Sequence, residues 1–185
     1  MTITFYAMWP SPLGTFRLVW GEVDGRPRVY HILLPAPDAL AEGRLRAAFP
    51  DARPCSHPAI AALGARLQRF LGGAAETFSL ELLALERCPD FQRRVLLAEY
   101  GIPRGSVSTY GRIAQHLGVP GAARAVGTAL ARNPFPLVIP CHRAIRADGT
   151  LGGFQGGLEM KRALLAHEGV AISAAGRVLS PHWHY

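Results

Sequence analysis

Pro140-Cys-His-Arg143 sets one thiol directly beside an imidazole and a guanidinium, and the carboxylate of Glu168 follows further along the chain. A free thiol with a pKa near ~8.5 is only slightly ionised at neutral pH, so it becomes a nucleophile when cationic neighbours lower that pKa or a base takes its proton. His142 and Arg143 supply both kinds of neighbour, which predicts a thiol of depressed pKa. Cysteine is also among the most buried residue types and commonly packs as a small hydrophobe. From these four residues alone, a reactive and a structural Cys141 fit equally well. Cys55, Cys88 and Cys141 are odd in number and contain no Cys-x-x-Cys pair, and the seven histidines show no His-Glu-x-x-His spacing. Neither a disulfide framework nor a metal is expected.

The elements that must position the thiol can be read around it. Leu137, Val138 and Ile139 lie between Pro136 and Pro140 and predict a short buried strand that ends where Pro140 withdraws its N–H. Upstream, Asp90 is the expected N-cap of a helix through Glu99. Ser108 is the expected N-cap of a second helix, Thr109 to Leu117. Gly118-Val-Pro120 forms a turn, and a third helix runs from about Gly121 to Arg132, which together give a helix-turn-helix pattern. The third helix is slim: Ala122, Ala123, Ala125, Gly127, Ala129 and Ala131 leave Arg124 as its one long side chain before Arg132. Gly127 costs up to ~1 kcal/mol in a helix interior, and two reasons stand level: close packing on another helix, or entry into a minor groove only ~6 Å wide. The groove reading also gives Arg124 a use, because a base rotated out of a duplex leaves a hole to be filled. Downstream come a glycine-rich loop, Gly152-Gly-Phe-Gln-Gly-Gly157, and a last helix from Leu158 to His167 closed by Gly169.

The remainder is a frame for these features. Ile3 to Trp9, Gly14 to Trp20 and Arg28 to Leu34 predict a three-stranded antiparallel meander; helices follow from Asp38 to Phe49 and from Ala59 to Leu71. Asp24, His31 and His57 read as a turn residue and solvated side chains. The chain of 185 residues carries a net charge of +7 and a pI near 10.0, which points to an anionic partner such as nucleic acid. The basic residues are 19 arginines and Lys161 alone, a bias that GC-rich coding also produces. The first ten residues lack a signal-peptide pattern and no apolar run approaches the ~18 residues of a membrane span. An intracellular, reducing compartment is therefore expected.

Pro140-Cys-His-Arg143, Ser108-Thr-Tyr-Gly111, Ala122-Ala-Arg-Ala-Val-Gly127, Asn133-Pro134 and Leu165-Ala-His-Glu-Gly169 together resemble the alkylguanine-DNA alkyltransferases, with every block in order from about Phe91 to Gly169. The resemblance implies an α+β protein. Residues 1–85 would form an α+β, ribonuclease-H-like domain, 86–169 a mainly helical alkyltransferase DNA-binding domain, and 170–185 a tail. It also implies DNA repair by stoichiometric transfer of an alkyl group from guanine O6 in duplex DNA to Cys141, with one turnover per molecule. In that reading His142 is the base, Glu168 orients and charge-compensates it, and Asn133 holds the active-site turn. Tyr110 crowds the target phosphate, Arg124 intercalates, and Thr109, Ala123, Gly127 and Arg132 complete the DNA-binding face. Val138, Phe154, Gln155 and Gly156 surround the flipped base. Gln155 stands where relatives carry a small hydroxyl or a basic residue, and Leu96 where an aromatic is usual. The implied protein is a monomer, cytoplasmic and nucleoid-associated or else nuclear, with O4-alkylthymine left open as a second substrate.

Three other readings compete. A non-catalytic binder of alkylated bases would carry another residue in place of Cys141. A helix-turn-helix regulator needs polar base-reading side chains early in its second helix, where Gly121, Ala122 and Ala123 stand. A Cys-His hydrolase would need an oxyanion hole and a peptide cleft that no segment supplies.

Overall fold

The computed structural model describes residues 3–179 and 182–185. The chain divides into two compact units: one holds the chain up to Arg87 together with Pro134–Val138, the other Cys88–Asn133 and the chain from Ile139 onward.

In the first unit β1 (Phe5–Trp9), β2 (Thr15–Val23) and β3 (Arg26–Ala36) form the expected antiparallel meander. The β2–β3 turn is tighter than its sequence suggested. Asp24 and Gly25 alone make it, at φ 52° and 70°, the paired left-handed conformation that matches strand twist in a two-residue hairpin. An unforeseen two-residue strand, β4 (Arg53–Pro54), pairs parallel to β1 and completes the order β3-β2-β1-β4. Helices α1 (Asp38–Ala48) and α2 (Pro58–Leu71) accompany the sheet. Val19, Leu33, Leu45 and Ala52 form one buried cluster with Tyr6 and Phe49 against it. Gly64 in α2 lies against the Trp9 ring so closely that a Cβ would collide with it. His57 is not a solvated side chain: its Nδ1 accepts from the Ala59 N–H at 3.2 Å and caps α2.

The second unit is mainly helical: α3 (Asp90–Tyr100), α4 (Tyr110–His116), α5 (Ala123–Ala131) and α6 (Gly157–His167). Between them lies a two-residue parallel pair, β5 (Ser108–Thr109) with β6 (Ala144–Ile145). Helices α4 and α5 are the helix-turn-helix. Its cap is Thr109 rather than Ser108: the Thr109 hydroxyl accepts from the Arg112 N–H at 3.1 Å. Helix α5 starts at Ala123 because Gly121, at φ 87°, still belongs to the turn. Asp90 is the first helical residue of α3, not its cap; Pro89 holds that place.

One expectation fails. Leu137 to Ile139 is no strand. Leu137 sits at φ 75° and the segment turns, because three residues between Pro136 and Pro140 offer too few N–H groups to sustain a ladder. Of the described residues after Gly169, Val170 and Val178 are buried in one cluster with Val107, Ile145, Leu151 and Leu165.

Candidate active site

Cys141 opens a 3₁₀ turn, Cys141–Arg143, whose N-cap is Pro140. The turn is held by local bonds. The Cys141 N–H donates to the Ile139 carbonyl and the Arg143 N–H to the Pro140 carbonyl, both at 2.8 Å. The buried Asn133 amide donates to the same Ile139 carbonyl at 3.1 Å and also hydrogen-bonds the Cys141 sulfur, which favours the thiolate. Cys141 is 6% exposed and reaches a cavity of about 550 Å³. Tyr110, Ala123, Arg124, Gly127, Phe154 and Gln155 are among the residues that line it.

Beside the thiol is a buried charge relay. His142 Nε2 lies 2.9 Å from Glu168 Oε1. Arg143 grips the same carboxylate with both arms, Nη2 to Oε1 at 2.7 Å and Nε to Oε2 at 2.8 Å. Burial pushes the Glu168 carboxyl up, but the bonds from His142 and Arg143 outweigh it and hold the pKa near about 2. Glu168 is thus ionised and accepts a proton bond from Nε2–H, which leaves the lone pair of a neutral imidazole on Nδ1. Burial keeps the His142 pKa below its ordinary value despite Glu168, so the ring rests as a base.

The expected depression of the thiol pKa is absent. Burial pushes Cys141 up to about 12, against the lowering effect of the Asn133 bond. His142 is neutral and the Arg143 charge is spent on Glu168, so neither adjacent cation acts on the sulfur; desolvation wins. Cys141 rests as a protonated thiol.

Two buried titratable groups that sequence reasoning missed lie around this turn. Lys161, fully buried, donates from Nζ to the carbonyls of Ala144 at 2.6 Å, Leu151 at 2.5 Å and Gly153 at 3.3 Å. Burial brings it down to about 8. Glu99, on α3, is 0% exposed, and burial raises its carboxyl to about 8 against the pull of Lys161 and Arg143. Lys161 stood out in the sequence as the sole lysine, but Glu99 looked like any polar residue at the end of an amphipathic helix. The Arg143 tie to Glu168 was equally invisible, since two residues far apart in the chain make it.

The structure brings together Cys141, His142, Glu168 and Asn133, and it places Tyr110, Ala123, Arg124, Gly127, Phe154 and Gln155 on the cavity wall. Four other expected residues do not line the cavity. Val138 is buried in the segment that groups with the first unit, and it does not line the cavity. Gly156 packs instead against Met160 and Phe154, where a Cβ would collide with the Met160 sulfur. Thr109 spends its hydroxyl on the α4 cap. Arg132 is exposed just past α5, and its carbonyl accepts from Gln92 at 2.9 Å. Leu130, Ala131, Arg146 and Gly153 line the cavity without having been foreseen. Gly127 is decided by space: a Cβ there would meet only Tyr110 Cδ1, at 3.9 Å. Nothing within the protein requires its missing side chain, so the close-packing reason fails and the open face of α5 remains.

Among the described residues, no group of three or more His, Cys, Asp or Glu is placed to hold a metal. No helix among them is long and apolar enough to cross a membrane.

Comparison with known proteins converges on this unit. The 6-O-methylguanine DNA methyltransferase DNA-binding domain matches residues 90–170. The methylated-DNA–protein-cysteine methyltransferase of Methanothermobacter thermautotrophicus is 41% identical over 161 residues, 87% of this chain and 83% of that protein. Its counterpart in Methanosarcina acetivorans is 33% identical over 165 residues, 89% and 98% of the two chains. The crystal structure of Mycobacterium tuberculosis OGT in complex with DNA superposes with a TM-score of 0.69 at 34% identity, covering 89% of this chain and 92% of that one.

Proposed function

Since the chain belongs to the methylated-DNA–protein-cysteine methyltransferases, we propose that Cys141 is its alkyl acceptor and that the cavity beside it receives an O6-alkylguanine turned out of duplex DNA. The function is DNA repair by direct transfer to protein. The observation that carries the assignment of the acceptor is that the sulfur opens onto a cavity walled by a helix-turn-helix while a neutral His142, anchored by ionised Glu168, follows it in the same turn.

The reaction follows from these groups. Neutral His142 takes the thiol proton on Nδ1, through a bridging water, because adjacent residues rarely point the same way. The Cys141 sulfur then attacks the alkyl carbon; the S–C bond forms as the C–O6 bond breaks, the electron pair goes to guanine, and the base takes up the proton. Glu168 stabilises the transient imidazolium, as the third member of a triad does. A thiol resting near about 12 reacts only when a substrate and base are aligned, which protects a single-use nucleophile from stray electrophiles. The product thioether has no hydrolytic route, so each molecule acts once.

Tyr110, Arg124 and Gly127 deliver the base. Arg124 is exposed on the slim helix and takes the place of the extruded guanine, while Tyr110 bears on its backbone. Thr109, Ala123 and Arg132 complete the duplex contact, and Phe154, Gln155 and Gly156 form the loop around the base. The protein works as a monomer, with no cofactor, in the cytoplasm at the nucleoid.

Intact mass after mixing with a duplex bearing one O6-methylguanine tests this. One methyl, about 14 Da, is gained on Cys141 and not by Cys141→Ser, as direct transfer to an activated thiol requires. Tight lesion binding with no mass change overturns the acceptor and leaves a lesion sensor.

A further inference from the structure

The last residues of the chain, His182–Tyr185, make a dense set of contacts that the reaction above does not use. They pair with Val107, the residue before β5: the Val107 N–H donates to the His182 carbonyl and the His184 N–H donates to the Val107 carbonyl, both at 2.9 Å. The Ser108 hydroxyl donates to the His184 carbonyl at 2.7 Å. Strand β5 pairs with β6, and Val107 just before it bridges to Trp183 of this segment. The residues after Ser108 are Thr109, which caps α4, and Tyr110, which lines the cavity.

Tyr185 then spans two helices. Its hydroxyl donates to the Ala98 carbonyl in α3 at 2.8 Å. Its ring stacks on His116, at the far end of α4, with centroids 3.7 Å apart. Its carbonyl accepts from Arg112, near the start of α4, at 2.6 Å, and the same guanidinium lies 4.9 Å from the Trp183 ring centre. Gly101, just past α3, leaves room for the hydroxyl: a Cβ there would stand 2.8 Å from it. A seven-residue helix, α4, is too short to hold itself; this segment fixes both of its ends.

We infer that His182–Tyr185 is a strap that positions α4, and with it Thr109 and Tyr110, for engagement of duplex DNA, Tyr185 and Arg112 being its positioning residues. The inference rests on the proposed function for its consequence in repair, though not for its physical basis. A pre-set α4 meets the duplex without ordering cost, whereas a loosened one must be ordered at each encounter. A free O6-alkylguanine base that enters the cavity needs no contact from α4 to DNA phosphate. The strap therefore matters to one substrate and not to the other.

The experiment compares Tyr185→Ala, Tyr185→Phe and Arg112→Gln with the unaltered chain. Second-order rates of Cys141 alkylation are measured with an O6-methylguanine duplex and with free O6-benzylguanine base. Tyr185→Ala and Arg112→Gln are expected to lower the duplex rate about tenfold while the free-base rate stays within about twofold, with Tyr185→Phe in between because it keeps the stack on His116 and loses only the Ala98 bond. An unchanged duplex rate, or an equal fall in both rates, overturns the strap; the second outcome would make the segment part of the general fold. Amide hydrogen exchange across Tyr110–His116 separates this inference from the proposed function. It must accelerate in Tyr185→Ala whether or not the unaltered protein transfers alkyl groups, and unchanged exchange sinks the strap alone.

Discussion

At the scale of single residues, the site is governed by which charges are buried and which are answered. Glu168 is answered twice, by His142 and by Arg143. Its folded pKa, near about 2, lies below the ordinary 4.5, so its stabilising contribution is complete above the unfolded value and vanishes as pH falls through the folded one. Glu168→Gln is accordingly expected to lose about 3 kcal/mol at neutral pH, since it strands Arg143, and the gap to the unaltered protein closes toward pH 2 in denaturant titrations. Alkyl transfer should slow by about a hundredfold through the loss of an oriented base. Glu99 behaves oppositely. Burial sets it at about 8 in the folded state, so the folded protein holds a proton that the unfolded chain releases above pH 4.5. Stability should therefore fall by about 1.4 kcal/mol per pH unit between roughly pH 5 and 8 on this account. Glu99→Gln removes that slope, and a slope that persists in the variant would assign it to another group.

At the scale of elements, the slim helix α5 is the feature that ties sequence to use. Gly127 has room for a methyl group inside the protein, yet it lines the cavity on the face with Ala123 and Arg124. Gly127→Ala should thus raise the melting temperature, by a gain of about 0.5–1 kcal/mol in helix propensity, without improving repair. Gly127→Leu should leave the fold intact and cut duplex transfer at least tenfold by widening the helix against a narrow groove. Equal duplex rates for both variants would mean that this face does not meet DNA. The glycine-rich loop is tied to the same helix: Gln155 Nε2 donates to the carbonyls of Ala131 at 2.9 Å and Asn133 at 3.0 Å. The loop is therefore anchored at the cavity rim by Gln155, where the resemblance led one to expect a small hydroxyl or a basic residue.

For the whole molecule, the charge is not evenly shared. The second unit carries ten arginines and Lys161 against Asp90, Glu99, Asp148, Glu159 and Glu168, so nearly all of the net +7 belongs to the unit with the thiol. The repair rate on duplex should consequently fall about tenfold or more as salt rises from roughly 50 to 200 mM, because phosphate contacts release counterions. The rate with free base should be almost flat over the same range. Parallel salt curves for the two substrates would show that the basic surface plays no part in delivering the lesion.

The sequence by itself determined the class of fold and the helix-turn-helix, and it singled out Cys141 and His142 as the proposed nucleophile and base. Each of these is written locally, in periodic apolar residues, turn residues and adjacent side chains. It also carried the family, through blocks in fixed order from Phe91 to Gly169. Only the tertiary structure decided the state of the thiol, because desolvation depends on what surrounds Cys141 and overrides the cations next to it in the chain. The same holds for the Glu168–Arg143 tie, the burial of Glu99 and the capping of α4 by Thr109. Leu137 to Ile139 read as a strand because they are apolar and β-prone, but the prolines on either side deny the segment its partners. The seat of Tyr185 between α3 and α4 left no mark in the sequence: hydrogen bonds to backbone carbonyls can be made by almost any residue type, so nothing in the local pattern announces them.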